Sequence, residues 1–258
     1  MLAPAMEAVG TWSASPHTLR LAGDEVHVWR ASLQCSAQRV EGLLSTLTGD
    51  ERGRADRFYF PKDRDYFIVA RGLLREILSC YLGVRPHQLR FSYSSYGKPS
   101  LTGEFDADTL RFNLSHSHGL ALFAITLGRK IGIDLERLRS DFEYEQIAER
   151  FFSAQEFKML CALPSDVRAE AFFNCWTRKE AYIKARGEGL SLPLDEFDVA
   201  LAPGEPAALL NIKDNPQEAS RWSIRELTPD PGYKAAVAVE GHDWQLKCWQ
   251  QPTDELNR

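Results

Sequence analysis

Two long amphipathic helices, each stopped by a glycine and each followed by a run of short strands, limit the folds open to this chain more than any other feature. From Lys62 to Leu82 the apolar residues Phe67, Ala70, Leu74, Ile77 and Tyr81 recur at intervals of three and four, which places them on one helical face. Gly83 suits the left-handed conformation that ends such a helix, and Pro86 blocks its continuation. Asp166 to Arg186 repeats the pattern and ends at Gly187. Ahead of the first helix, Glu25 to Ser32 alternates in the period of a half-buried strand, and Ala37 to Leu47 has helical spacing. Behind it, strands are expected at Leu89 to Tyr93, Leu110 to Leu114 and Leu120 to Leu127, separated by the turn-rich SSYGKPS and SHSHG segments. The second half opens on a strand, Lys130 to Leu135. A capping box, Ser153 to Glu156, starts a helix before the long one. Strands are then expected at Phe197 to Leu201, Arg221 to Leu227, Lys234 to Val239 and Trp244 to Gln250. Both halves run strand, helices, long helix, strands. The order predicts an α+β chain of two similar subdomains, residues 1–128 and 129–258, forming a pseudo-dimer without convincing residue-level identity between the halves. A cleft is expected at their junction.

Composition narrows the function. A net charge of −5 and a pI near 5.7 argue against general binding to nucleic acid or to an anionic membrane, which needs a basic surface. Five cysteines, an odd number with no C-x-x-C spacing, point away from zinc and redox pairs and toward a cytoplasmic location. MLAPAMEAVGTW contains neither a basic leader nor a continuous apolar run, and the longest apolar stretch, Leu120 to Leu127, is too short for a bilayer.

The chemistry lies in three acids. On a strand, Asp134 and Glu136 of IGIDLE project to one face while Ile133 and Leu135 turn inward. Two adjacent acids repel unless a cation sits between them, and Mg²⁺ accepts a few carboxylate oxygens while keeping room for water and phosphate. An isolated pair of this kind is more often simply solvated. In WTRKEAYIK, however, Trp176, Glu180 and Lys184 share one stripe of the second long helix, with Lys179 beside them. An aromatic on the same stripe as two charges implies that the stripe faces protein, where charges need partners. A metal ion and a phosphate are such partners, although a surface ion pair from Glu180 to Lys184 is the alternative.

At this point the sequence resembles the 4'-phosphopantetheinyl transferases of the surfactin-synthetase-activating type. The matching segments are YGKPSL (Tyr96 to Leu101), FNLSHS (Phe112 to Ser117), IGIDLE (Ile131 to Glu136), RFFS-x-x-E (Arg150 to Glu156), W-x-x-KE-x-x-x-K (Trp176 to Lys184) and GLSLPL (Gly189 to Leu194). The resemblance implies transfer of the phosphopantetheine arm of coenzyme A to a serine of an apo carrier protein, with release of adenosine 3',5'-bisphosphate. It implies that Asp134, Glu136 and Glu180 hold Mg²⁺, with Mn²⁺ as the alternative, and that Lys184 meets the pyrophosphate. Glu180 is also the candidate to take the serine proton, so its role as base or ligand stays open.

The same resemblance places Asn113, Ser115 and His116 against the nucleotide, His116 on a phosphate. Lys98 becomes a point charge for phosphate, or else an ordinary turn lysine, and Gly97 allows close backbone approach. A zinc pair at His116 and His118 is the competing reading of H-x-H, with no cysteine or third histidine nearby in sequence. Between Glu51 and Arg75 there are seven basic residues against four acidic ones. Of these, Arg54 matches a phosphate contact, Arg64 and Arg71 match less well, and Glu51 stands where some relatives have a second basic residue. The Gly187-Glu188-Gly189 turn follows a helix, so it reads as a helix stop and not as a phosphate loop. The implied partners are acyl, peptidyl or aryl carrier proteins of fatty acid, polyketide or nonribosomal peptide biosynthesis, met through Arg137 to Phe152 by a monomeric enzyme. A Mg²⁺-dependent phosphohydrolase acting on a nucleotide or coenzyme A-like substrate, and a non-catalytic coenzyme A or carrier-binding protein, are the rival readings.

Overall fold

The computed structural model describes residues 11–16, 19–103, 110–139, 143–213 and 215–252. In the first half, β1 (Ser13–Ala14) and β2 (Glu25–Ser32) precede α1 (Ala37–Thr46), α2 (Gly49–Ala55) and α3 (Pro61–Leu82). The hairpin of β3 (Phe91–Tyr93) and β4 (Pro99–Leu101) comes next, then β5 (Leu110–Ser117) and β6 (Leu120–Leu127). The second half runs through β7 (Ile131–Arg137), α4 (Tyr144–Phe151), α5 (Ala154–Ala162) and α6 (Ser165–Arg186). It continues with β8 (Phe197–Val199), β9 (Leu209–Ile212), α7 (Pro216–Ala219), β10 (Trp222–Leu227), β11 (Tyr233–Glu240) and β12 (Gln245–Gln250).

The repeat expected from element order is present in the strand pairing. In one sheet β2 pairs antiparallel with β6 and β6 with β5; in another β7 pairs antiparallel with β11 and β11 with β10. Each half therefore pairs an early strand, β2 or β7, with a later one, β6 or β11, and that strand in turn with the one before it, β5 or β10. The long helices α3 and α6 both have 22 residues and both end at a left-handed glycine, Gly83 at φ 68° and Gly187 at φ 75°. One strand breaks the symmetry: β12 leaves the second half and pairs parallel with β2, Cys248 opposite Val28. The larger sheet is thus ordered β1-β12-β2-β6-β5 and the smaller β10-β11-β7.

Alternating side chains fix the layers. Trp29, Ala31, Phe123 and Ile125 pack against Leu74, Ile77 and Leu78 of α3. From the opposite face, Val26, Val28, Leu122 and Ala124 meet Ile131, Ile133, Leu135, Val237 and Val239, so the two sheets share a core. Ala236 and Ala238 turn outward toward Phe172 and Tyr182 of α6. The order is helix, sheet, sheet, helix. Each fully buried aliphatic side chain in these interfaces contributes roughly 1.5–3 kcal/mol.

Buried contacts around α6 set the direction in which its residues point. The capping box at Ser153 is formed: its Oγ accepts from the Glu156 amide at 3.1 Å, and Glu156 Oε2 accepts from the Ser153 amide at 2.9 Å. The Glu156 carboxylate is buried against Lys179 at 2.8 Å, and the Lys179 ammonium also donates to the carbonyls of Leu194 and Phe197. Lys179 therefore braces the second half from within, while its neighbour Glu180 faces the cleft. Trp176 stacks on Phe172 with ring centroids 5.8 Å apart, so its place on the stripe is that of a core anchor.

Strand β5 is longer than expected. The sequence suggested an end at Leu114 and a loop through SHSHG, but pairing continues to Ser117 opposite Leu120. The turn shrinks to His118 and Gly119, both at positive φ, 47° and 88°. The polar residues Asn113, Ser115 and Ser117 resemble a loop in composition. Their regular alternation instead serves a second strand, β7, on the far side.

Candidate active site

β5 and β7 are end strands of the two sheets, and side chains join them. Asn113 Oδ1 accepts from the Ile133 amide at 2.9 Å. Ser115 Oγ donates to Asp134 Oδ1 at 3.0 Å, and Ser117 Oγ donates to Glu136 Oε2 at 3.0 Å. Every second residue of β5 thus holds an atom of β7, as the period of two requires. Helix α6 lies across β7 at very close range because Gly132 has no side chain: a Cβ there would stand 2.1 Å from the Ala181 carbonyl oxygen. That approach brings Lys184 onto Asp134, Nζ to Oδ1 at 2.5 Å, and within 3.1 Å of Ser115 Oγ. Lys184 thus pairs with the strand.

A cavity of about 510 Å³ opens at this junction. Arg54, Gly97, Lys98, Asn113, Ser115, His116, Glu180 and Lys184, each singled out from the sequence, all line it. Asp134 is joined to that lining through Lys184 and Ser115, and Glu136 is bonded to Ser117, two residues further along β5. The carboxyls are electrostatically strained. Burial, and then the charges of Asp134 and Glu136, raise the pKa of Glu180, with Lys184 opposing. Burial and Asp134 likewise raise Glu136, against the hydrogen bond from Ser117. Burial works against the Lys184 ammonium, but Asp134, Glu180 and Glu136 outweigh it and raise its pKa. Burial and the Lys184 charge lower that of His116.

Among the described residues, no group of three or more His, Cys, Asp or Glu side chains stands close enough to form a metal site, so the three acids do not form one as placed and His116 and His118 have no third ligand beside them. His118 sits in the hairpin turn, its Nδ1 3.1 Å from Ser117 Oγ. The acid cluster nevertheless leaves one carboxylate oxygen without a partner. Asp134 is 3% exposed, and its Oδ2 is buried without a hydrogen-bond partner. A buried carboxylate oxygen left unpartnered is costly, and a cation held among mutually repelling acids removes that cost.

Other expectations resolve individually. Gly97 is left-handed, φ 80°, as the GKP turn requires. Lys98 lines the cavity, yet its ammonium donates to the carbonyls of Ile131 at 2.9 Å, Lys184 at 2.6 Å and Ala185 at 3.2 Å. The Arg54 guanidinium lies 5.3 Å from the ring centre of Phe67. Arg64 pairs with Asp56 at 3.3 Å on the surface. The Gly187-Glu188-Gly189 turn stops α6, with Glu188 paired to Arg186 at 2.7 Å. Of the segment expected to meet a carrier, Arg137 to Phe152, residues 140–142 lie outside the described residues.

Sequence reasoning undervalued Arg71 and Ser117. Glu51 is buried, accepting from Arg71 Nε at 2.7 Å and pairing with Arg75 at 2.7 Å, and Arg71 also donates to the Tyr93 hydroxyl and lines the cavity. A signal was available: Arg71 and Arg75, four residues apart, directly follow Ala70 and Leu74 and so flank the apolar stripe of α3, where a buried charge requires a partner.

The fold and site, a cleft between two similar α+β halves with carboxylates and a lysine at its seam, agree with the family comparisons. Residues 130–238 match the model of the 4'-phosphopantetheinyl transferase superfamily, and residues 29–127 match that of the 4'-phosphopantetheinyl transferase N-terminal region. The chain belongs to the 4'-phosphopantetheinyl transferase superfamily and is a transferase. It is 48% identical to the 4'-phosphopantetheinyl transferase HetI of Nostoc sp. over 93% of this chain and 98% of the relative. It is 33% identical to the 4'-phosphopantetheinyl transferase Sfp of Bacillus subtilis over 86% and 94%. The L-aminoadipate-semialdehyde dehydrogenase-phosphopantetheinyl transferase of Xenopus laevis is 24% identical over 81% and 75%. Among the described residues, no helix is long and apolar enough to cross a membrane.

Proposed function

We propose that the cleft binds coenzyme A and that the chain transfers its 4'-phosphopantetheine to a serine of an apo carrier protein, releasing adenosine 3',5'-bisphosphate. The observation that carries this reading is the Lys184–Asp134–Ser115 cluster at the seam, with Asp134 Oδ2 buried and unpartnered beside two further acids. Arg54, Asn113, Ser115 and His116 line the space for the nucleotide and its phosphates, together with Gly97 and Lys98. Lys184 places a positive charge where the pyrophosphate is cleaved. The serine oxygen attacks the phosphorus that carries the pantetheine arm, the bond to the nucleotide phosphate breaks, and Glu180 takes the serine proton. Burial and the neighbouring acids raise its pKa, the direction that makes a carboxylate a better proton acceptor.

Asp134, Glu136 and Glu180 would hold Mg²⁺, with Mn²⁺ as the alternative. Bound there, the cation neutralises charge on the leaving phosphate. The unpartnered Asp134 oxygen supports this assignment.

The two-subdomain division, 1–128 and 129–258 with β12 returned to the first sheet, is part of the same reading, supported by the shared strand order. So are a monomer, since one chain supplies the whole cleft, and a cytoplasmic location, supported by the cysteine pattern. The carriers are those of fatty acid, polyketide or nonribosomal peptide synthesis, with docking through Arg137 to Phe152. The reading is tested by following adenosine 3',5'-bisphosphate with and without an apo carrier. Release should require the carrier and stop on chelation with EDTA; release without a carrier would indicate hydrolysis, and release undiminished by EDTA would remove the metal from the account.

A further inference from the structure

We infer that the Ser94–Lys98 turn is a clasp between the two halves and that Lys98 is a positioning residue, whose ammonium fixes β7 and the end of α6 relative to one another. This rests on the proposed transferase reading of the cleft for what is being positioned. The turn itself is tightly organised. Ser94 Oγ accepts from the amides of Tyr96 at 3.3 Å and Lys98 at 3.2 Å, the Ser94 amide donates to the Lys98 carbonyl at 3.0 Å, and Gly97 takes the left-handed conformation. From this base two side chains cross to the second half.

Lys98 is the first. A helix leaves its last four carbonyls without intrahelical donors, and those of Lys184 and Ala185 are among them in α6. The Lys98 ammonium donates to both, at 2.6 and 3.2 Å, and to the Ile131 carbonyl at the start of β7, at 2.9 Å. One cation thus satisfies the strand that carries Asp134 and Glu136 and the helix that carries Glu180 and Lys184. A positive charge at a helix C-terminus is also favoured by the helix dipole. Burial and the like charges of Arg111 and Lys130 draw the Lys98 pKa down to about 8, so a charged side chain held there depends on its three acceptors.

Tyr96 is the second. Its ring covers Gly189, where a Cβ would stand 2.8 Å from the ring, and the Lys98 stem passes 3.5 Å from the corresponding position on Gly187. The turn therefore grips the segment after α6 at two glycines that leave room for it.

A phosphate contact and a clasp predict different kinetics. With its ammonium turned to the backbone, Lys98 contributes little to holding coenzyme A, and its loss allows α6 to shift against β7. In Lys98→Met, kcat should fall by about 10- to 100-fold, the scale of a small misplacement of reacting groups. KM for coenzyme A should stay within about threefold of the parent. Hydrogen exchange at the backbone amides of residues 184–192 should quicken. In Lys98→Ala, added ethylammonium should restore part of kcat by refilling the space opposite the carbonyls, and Lys98→Arg should retain more activity than Lys98→Met. A raised KM with unchanged kcat, unchanged exchange at 184–192, or a loss that no amine restores would each overturn the inference. If the parent itself transferred nothing, the functional reading would fall, while the exchange measurement would still decide the clasp.

Discussion

Replacing Asp134 with asparagine should lower kcat by about 10³-fold, close to 4 kcal/mol of transition-state stabilisation, in a protein that stays folded. The side chain keeps its shape and loses its charge. Asp134 Oδ1 holds the Lys184 ammonium at 2.5 Å and accepts from Ser115 at 3.0 Å, so the carboxylate both places the lysine and connects it to the lining of the cleft. An asparagine oxygen can accept from that ammonium but brings no opposing charge, so Lys184 is held less firmly. Nor does an amide replace the charge of Oδ2 as a cation ligand. Circular dichroism and a thermal melt close to the parent, together with steady-state kinetics, separate this result from unfolding. A variant within tenfold of the parent would place the chemistry elsewhere.

The second large effect concerns a residue without a functional group. In Gly132→Ala the new methyl carbon meets the backbone of α6, 2.1 Å from the Ala181 carbonyl oxygen and 2.2 Å from the Ala185 nitrogen. Both obstacles belong to the helix backbone, so no rotamer change relieves the clash; β7 and α6 must separate by roughly an ångström. The expected cost is about 3 kcal/mol, at the upper end for overpacking, with a fall in Tm of roughly 10 °C. Activity measured well below that Tm should still be low, because Lys184 moves away from Asp134 with the helix. A melt unchanged within about 2 °C would show that the strand and helix are not seated as described.

Much of this arrangement could be read from the sequence because it rests on local pattern. The 22-residue helices were bounded by glycine caps, and Gly83 and Gly187 both take the left-handed conformation. Asp134 and Glu136 fell on one strand with Glu180 and Lys184 on one helix, and the resemblance supplied the rest of the lining. What local pattern could not supply was pairing across the chain. The reach of Ser117 to Glu136 depends on β5 and β7 meeting, which no periodicity encodes. Return of β12 to β2 is of the same kind, since its alternation specifies a strand and leaves the partner open. Glu51 looked like a lost basic contact until its burial between Arg71 and Arg75 gave it a structural role. Lys98 carried the greatest ambiguity: one lysine in a GKP turn suits a phosphate as well as a row of carbonyls, and only the position of α6 distinguishes the two.

Intact mass spectrometry of an apo carrier protein, incubated with this enzyme, coenzyme A and Mg²⁺, tests the central claim most directly. The carrier should gain the mass of the phosphopantetheine arm once per acceptor domain, and a carrier whose acceptor serine is replaced by alanine should gain nothing. A carrier left at its original mass across acyl, peptidyl and aryl carriers, in a preparation that binds coenzyme A, would contradict the account.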